Sequence, residues 1–120
     1  MARILVVDDS LLARNSLKTI LESGAHKIVG VAVDGEQAVG QYMKLKPDIV
    51  TMDITMPKVN GIESLKMIIA RDPNARIIMI SALGQANKVF EALNNGARHY
   101  ITKPFDSSKV LEAVDEVLSG

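Results

Sequence analysis

The chain has no cysteine, no net charge and no apolar run long enough to cross a bilayer, and each absence closes off a class of function. Without cysteine there is no disulfide framework, no thiolate zinc site and no cysteine nucleophile. The 14 basic and 14 acidic side chains cancel, so nothing global draws the chain to nucleic acid or to an anionic membrane, and neither is expected as a partner. The opening MARILVVDD is a short apolar stretch closed by two aspartates, which is neither a signal-peptide core nor a membrane span. The cytoplasm is the expected compartment. No repeat, low-complexity tract or linker divides the 120 residues. With 48% hydrophobic and 23% charged residues they read as one globular domain, 1–120, able to fold alone and expected to be a monomer.

What is present is a rhythm. Short β-branched runs at 4–7, 28–33, 49–52, 77–80 and 99–102 alternate with stretches of helical spacing. The runs are continuous in apolar character, as strands buried on both faces of a parallel sheet are. Between them apolar residues recur at three and four: Ala13, Leu17, Ile20 and Leu21; Ala38, Tyr42 and Leu45; Ile62, Leu65 and Ile69; Val110, Val114 and Val117. Ser10 is placed to cap the first helix and Asp106 or Ser107 the last. Gly24 and Gly96 mark helix ends, while Lys46-Pro47-Asp48 and Asp72-Pro73-Asn74 mark turns. Five strands and five helices in alternation predict an α/β doubly wound (βα)5 sandwich with helices on both faces. The stretch 86–95 is ambiguous, because Val89, Phe90, Ala92 and Leu93 cover more than one face. The reading adopted puts Phe90 and Leu93 inward and Val89 near the surface.

Four of the five runs end in a polar group: Asp8 and Asp9, Asp53, Ser81 and Lys103. In an open α/β sheet ligands bind at the carboxyl ends of the strands, so residues scattered along the chain can meet there. The fifth run ends in Asp34, on a strand expected at the sheet edge, and Asp34 reads as a turn or cap residue. If the first and third strands are neighbours, as in the flavodoxin-like order 2-1-3-4-5, then Asp8, Asp9 and Asp53 converge. Two carboxylates about 5 Å apart repel by roughly 3 kcal/mol at an effective dielectric near 20, so three of them demand a counter-charge or raised pKa values. A hard divalent cation such as Mg2+, which takes carboxylate, carbonyl and water oxygens, answers that demand. Singly, an Asp-Asp pair can be a loop or cap, Ser81 an ordinary hydroxyl and Lys103 a solvated lysine. Asp53 resists such a reading, since it interrupts two apolar pieces where an unpaired carboxylate is costly.

Together with Pro57, Gly61 and the Lys103-Pro104 pair, these residues resemble the receiver domain of two-component response regulators over the whole chain. The resemblance implies that Asp8 and Asp9 bind Mg2+, and that Asp53, itself a metal ligand, accepts a phosphoryl group from a phosphohistidine on a sensor histidine kinase. It further implies that Thr55 gives its backbone carbonyl to the metal, that Ser81 and Lys103 contact the phosphoryl oxygens, and that Ser81 and Tyr100 move on activation. A cis Lys103-Pro104 bond is also implied. Such a protein catalyses its own phosphorylation and dephosphorylation and turns over no outside metabolite, so it is a signalling protein rather than an enzyme. The switched surface is expected on the fourth helix, fifth strand and fifth helix.

The combination MDITMP with SALGQ resembles the chemotaxis branch of that family, which implies a kinase of the CheA type and the flagellar switch as partners. The chain also reads as a receiver standing alone, from its initial methionine to just past its fifth helix. Thr55, Leu83 and Ile54 depart from the amide, acid and tryptophan of the enteric members, at positions that flank the path of attacking water and bear on any phosphatase partner. A relay intermediate or a regulator of a non-flagellar protein is the main competitor. A haloacid-dehalogenase-type phosphatase needs a second acid where Thr55 stands, and a dinucleotide binder needs a G-x-G-x-x-G that this sequence lacks.

Overall fold

Every apolar run becomes a strand and every stretch of helical spacing a helix. The computed structural model describes residues 1–120. Their order is β1 (Arg3–Val7), α1 (Leu11–Ser23), β2 (Lys27–Ala32), α2 (Gly35–Leu45), β3 (Ile49–Asp53), α3 (Gly61–Arg71), β4 (Ile77–Ser81), α4 (Ala86–Asn94), β5 (His99–Thr102) and α5 (Ser107–Ser119). All four neighbouring pairs run parallel and the spatial order is β2-β1-β3-β4-β5, the flavodoxin-like arrangement. β2 is an edge strand, as expected, and Val31 on it is exposed.

The continuous apolar runs are explained by a core on each side of the sheet. Strand residues alternate between the two faces. Leu5, Val7, Val50, Met52, Ile77 and Met79 face α2, α3 and α4, packing with Tyr42, Leu65, Ile68 and Ala92. Their neighbours Ile4, Val6, Ile49, Ile78, Ile80 and Ile101 face α1 and α5, packing with Leu17, Leu21, Val110 and Val114. Each such side chain, once fully buried, contributes about 1.5 to 3 kcal/mol, so the three central strands are held firmly from both sides.

Local chemistry fixes where the helices begin and end. Ser10, Asp34, Asn60 and Asp106 each accept a hydrogen bond from a first-turn N–H, of Ala13, Gln37, Glu63 and Lys109 respectively. Asp34 is therefore the cap residue expected of it, and Asp106 rather than Ser107 caps α5. Lys46, left-handed at φ 49°, ends α2 before Pro47, and Gly96 turns the chain after α4 at φ 107°. Asp72 accepts from the N–H of Asn74 and from the Tyr42 hydroxyl at 2.7 Å. That hydrogen bond from Tyr42 holds the Asp72 carboxyl below its usual range, while burial and then Asp72 push the Tyr42 phenol up.

Helix α4 corrects one expectation. Val89 is the residue that packs against the core beside the buried Ala92, whereas Phe90 is 68% exposed and Leu93 is exposed too. Val89 and Ala92 lie three apart on one face, and Ala92 presents only a methyl, so the helix can lie close over the sheet there. The larger Phe90 and Leu93 are left on the outer side.

Candidate functional site

The carboxyl ends of β1, β3, β4 and β5 bring Asp8, Asp9, Asp53, Ser81 and Lys103 to one end of the sheet. Asp8 and Asp53 follow directly from paired strands, since Val7 stands opposite Met52 in the β1·β3 register. The carboxylate oxygens of Asp8, Asp9 and Asp53 lie within 4.8 Å of one another. Asp8 is wholly buried, Asp53 is 7% exposed, and Asp9 opens to solvent.

Each acid is held differently. Asp8 Oδ1 accepts from the N–H of Ser10 at 2.9 Å and its backbone carbonyl accepts from Arg14 at 2.7 Å, which locks the turn into α1. Its Oδ2 is buried, takes no well-formed hydrogen bond, and faces Lys103 Nζ at 3.2 Å. The same ammonium lies 3.5 Å from Asp53 Oδ2, so one cation bridges two carboxylates. Burial, then the Asp8 charge, pushes the Asp53 carboxyl up to about 6, against the opposing pull of Lys103 and of the Thr55 N–H. For Lys103, burial alone would lower the pKa; Asp53 and Asp8 outweigh it and hold the ammonium above its ordinary value.

The backbone under Asp53 is equally constrained. A Cβ at Gly61 would stand 2.0 Å from the Asp53 carbonyl oxygen, and the Gly61 N–H donates to the Ile54 carbonyl at 2.8 Å. Only glycine lets the start of α3 lie this close to the end of β3. At the next strand, Ser81 is 2% exposed and its hydroxyl lies 3.5 Å from Thr102 Oγ1, turned across to β5. Tyr100 is 45% exposed, on the face of β5 shared with Thr102, where both line a groove of about 430 Å³ against Val89, Phe90 and Leu93. The Lys103-Pro104 bond is cis.

Three features of the site were not singled out in the sequence: the Arg14 contact to Asp8, the Thr102 hydroxyl beside Ser81, and the close approach at Gly61. The first two depend on rotamers and register. Gly61 was visible as part of a motif, but its steric reason appears only once α3 is laid against β3.

The donor set suits a divalent cation that prefers oxygen. Three carboxylates converge where one ammonium pairs with only Asp8 and Asp53, so the cluster keeps an excess of negative charge that a hard ion would offset.

Comparison with known proteins agrees with this geometry. The response regulator receiver domain profile matches residues 4–115. The chemotaxis protein CheY of Thermotoga maritima is 50% identical over 115 residues, covering 96% of this chain and 96% of that protein. The protein-glutamate methylesterase/protein-glutamine glutaminase of the same organism is 51% identical over 88% of this chain, but over only 31% of its own length. The CheX-CheY-BeF3-Mg complex from Borrelia burgdorferi contains a chain 46% identical, with a TM-score of 0.93 over 97% of this chain and 88% of that one. Its carboxylate cluster, its strand order and these likenesses over nearly its whole length place the chain in the response regulator receiver family.

Proposed function

We propose that residues 1–120 act as one phosphoacceptor receiver, in which Asp53 takes a phosphoryl group from a sensor histidine kinase of the CheA type. The observation that carries this reading is the buried Asp53 carboxylate beside Asp8, with Lys103 bridging the two. In the transfer, an Asp53 oxygen forms the new bond to phosphorus while the bond from phosphorus to the donor histidine nitrogen breaks, giving an acyl phosphate. Such a transfer needs in-line positioning and neutralisation of the phosphoryl oxygens more than it needs proton chemistry. Lys103 supplies one positive charge from its present position, and Ser81 supplies a hydroxyl donor once it turns from Thr102. Asp8, Asp9, Asp53 and the Thr55 carbonyl would hold Mg2+, which when bound neutralises charge on the phosphoryl oxygens. With its carboxyl titrating near 6, Asp53 is mostly ionised at neutral pH and is available as the nucleophile.

The output follows from Ser81 and Tyr100. Drawing Ser81 toward the phosphoryl group frees space on the α4 side of the sheet, and Tyr100, now exposed, turns into it. The surface of α4, β5 and α5 is thereby biased between two forms, one of which binds the target. The likeness to CheY proteins supports the flagellar motor switch as that target and chemotaxis as the pathway. Removal of the phosphoryl group by a separate phosphatase fits the same likeness, with Thr55 and Leu83 flanking the path of attacking water. A second reading, a relay intermediate or a regulator of a non-flagellar protein, is favoured by the methylesterase match, because equal identity there accompanies a different output.

The test is phosphotransfer from candidate kinases, with Asp53→Asn as control, followed by pull-down of the target with and without BeF3−. Labelling is expected for the wild type and absent in Asp53→Asn; undiminished labelling of the variant overturns the assignment. A Tyr100→Phe variant that phosphorylates normally and still switches its target fully removes the hydroxyl from the mechanism.

A further inference from the structure

Gln85 ends the loop after β4 and precedes the first turn of α4, yet its side chain does not cap that helix. Instead its Oε1 accepts from the N–H of Ala82 at 2.7 Å and its Nε2 donates to Thr55 Oγ1 at 2.8 Å. The orientation of the amide follows from the partners: Ala82 N–H can only donate, so it must meet the oxygen, which leaves the nitrogen for the Thr55 hydroxyl. One side chain thus joins the loop after β3, at the second residue past Asp53, to the residue directly after Ser81. Its backbone carbonyl meanwhile accepts from Lys88 and Val89 at the start of α4.

We propose that Gln85 is a positioning residue that latches the unphosphorylated form, tying the acceptor loop to the switch loop until Ser81 moves. This rests on the phosphoacceptor reading above. Ser81 now faces Thr102 across the sheet, and carrying its hydroxyl toward a phosphoryl group on Asp53 drags the Ala82 N–H with it. The bond from Ala82 to Gln85 must then break or re-form elsewhere. An interaction made in one state and lost in the other sets the equilibrium between them, so the latch lowers the apparent affinity of the site for its phosphoryl group.

The experiment uses the full chain, 15N-labelled, titrated with BeF3− in excess Mg2+ and followed by NMR. Removing hydrogen bonds made only in the resting form should tighten BeF3− binding by Gln85→Ala roughly 3- to 10-fold. Without BeF3−, the Ala82 and Gly84 amides of that variant should already lie part of the way toward their wild-type bound positions, a shift that a merely structural role would not produce. Thr55→Val, which keeps the backbone carbonyl, should show a smaller effect, and the double variant should match Gln85→Ala alone. Unchanged or weaker binding by Gln85→Ala, or additive effects in the double variant, overturns the latch. Wild-type protein that fails to bind BeF3− where Asp53 is intact overturns the phosphoacceptor reading itself.

Discussion

Helix α3 opens with Asn60 capping the Glu63 N–H and buries Ile62, Ser64, Leu65 and Ile68, whereas its neighbour α4 has no side-chain cap and buries Ala92 alone. The buried Ser64 hydroxyl donates to the Gly35 carbonyl and so ties α3 to α2. Between α3 and α4 the cross-link is the surface pair Lys66 and Glu91 at 3.3 Å, which contributes little in water. The two helices follow the two strands that matter most: α3 follows Asp53 and α4 follows Ser81. Asp53, the proposed phosphoacceptor, is therefore backed by an element that cannot shift without opening cavities, and Ser81, the proposed switch residue, is followed by one that can shift at small cost.

The contrast can be broken most decisively through the cores. Ile68→Ala should cost about 4 kcal/mol in urea unfolding, while Phe90→Ala on α4 should cost under about 0.5 kcal/mol. Comparable losses would mean that α4 is as firmly held as α3. Gly61→Ala comes next. Its Cβ meets backbone, which cannot rotate away, so a loss of about 3 kcal/mol is expected together with slowed labelling of Asp53. An alanine variant as stable and as quickly labelled as the wild type would remove the close approach as a constraint.

A third measurement addresses the charge on the firm side. The Asp53 carboxyl lies at about 6 in the folded protein, above an unfolded value of roughly 4, so the folded form holds the proton more tightly. The stability this group contributes is complete below about pH 4 and disappears as pH rises through about 6. In chelator, wild type should lose about 1 to 2 kcal/mol across that window relative to Asp53→Asn, after discounting for solvent at the open side of the site. Parallel stability profiles for the two proteins would refute the raised carboxyl. The smallest effect is expected at the helix start: Asn60→Ala should cost about 1 kcal/mol, read from the shift in urea midpoint. No cost there would show that the cap adds nothing to the hold on α3.

Much of this was legible in the sequence, for reasons that can be named. β1, β3 and β4 are buried on both faces, so their composition announces them, and parallel register turns residues distant in sequence, such as Asp8 and Asp53, into neighbours. Asp34 was separable from the site because its strand had to lie at the edge. Helix α4 was misjudged because both of its faces carry apolar residues, and a period of 3.6 cannot choose between two such faces. The choice fell to close packing, which favours the methyl of Ala92 over the ring of Phe90. Gln85 was visible only as the last letter of SALGQ, and its hydrogen bonds to Ala82 and Thr55 were not, since a loop amide reveals its partners only when two loops are brought together in space.

The alternation of strand residues has a consequence for how information travels. On β3, Asp53 falls in step with Ile49, which faces α1 and α5, and opposite Ile80 of β4, which faces the same way. One residue further along β4, Ser81 falls in step with Met79, toward α4, and pairs with Thr102 just past Tyr100. The sheet is a wall between two rooms, and on the phosphoacceptor reading proposed above, chemistry done on one side of it is read on the other. The message passes around the rim, where the strands end and a one-residue step exchanges one face for the other.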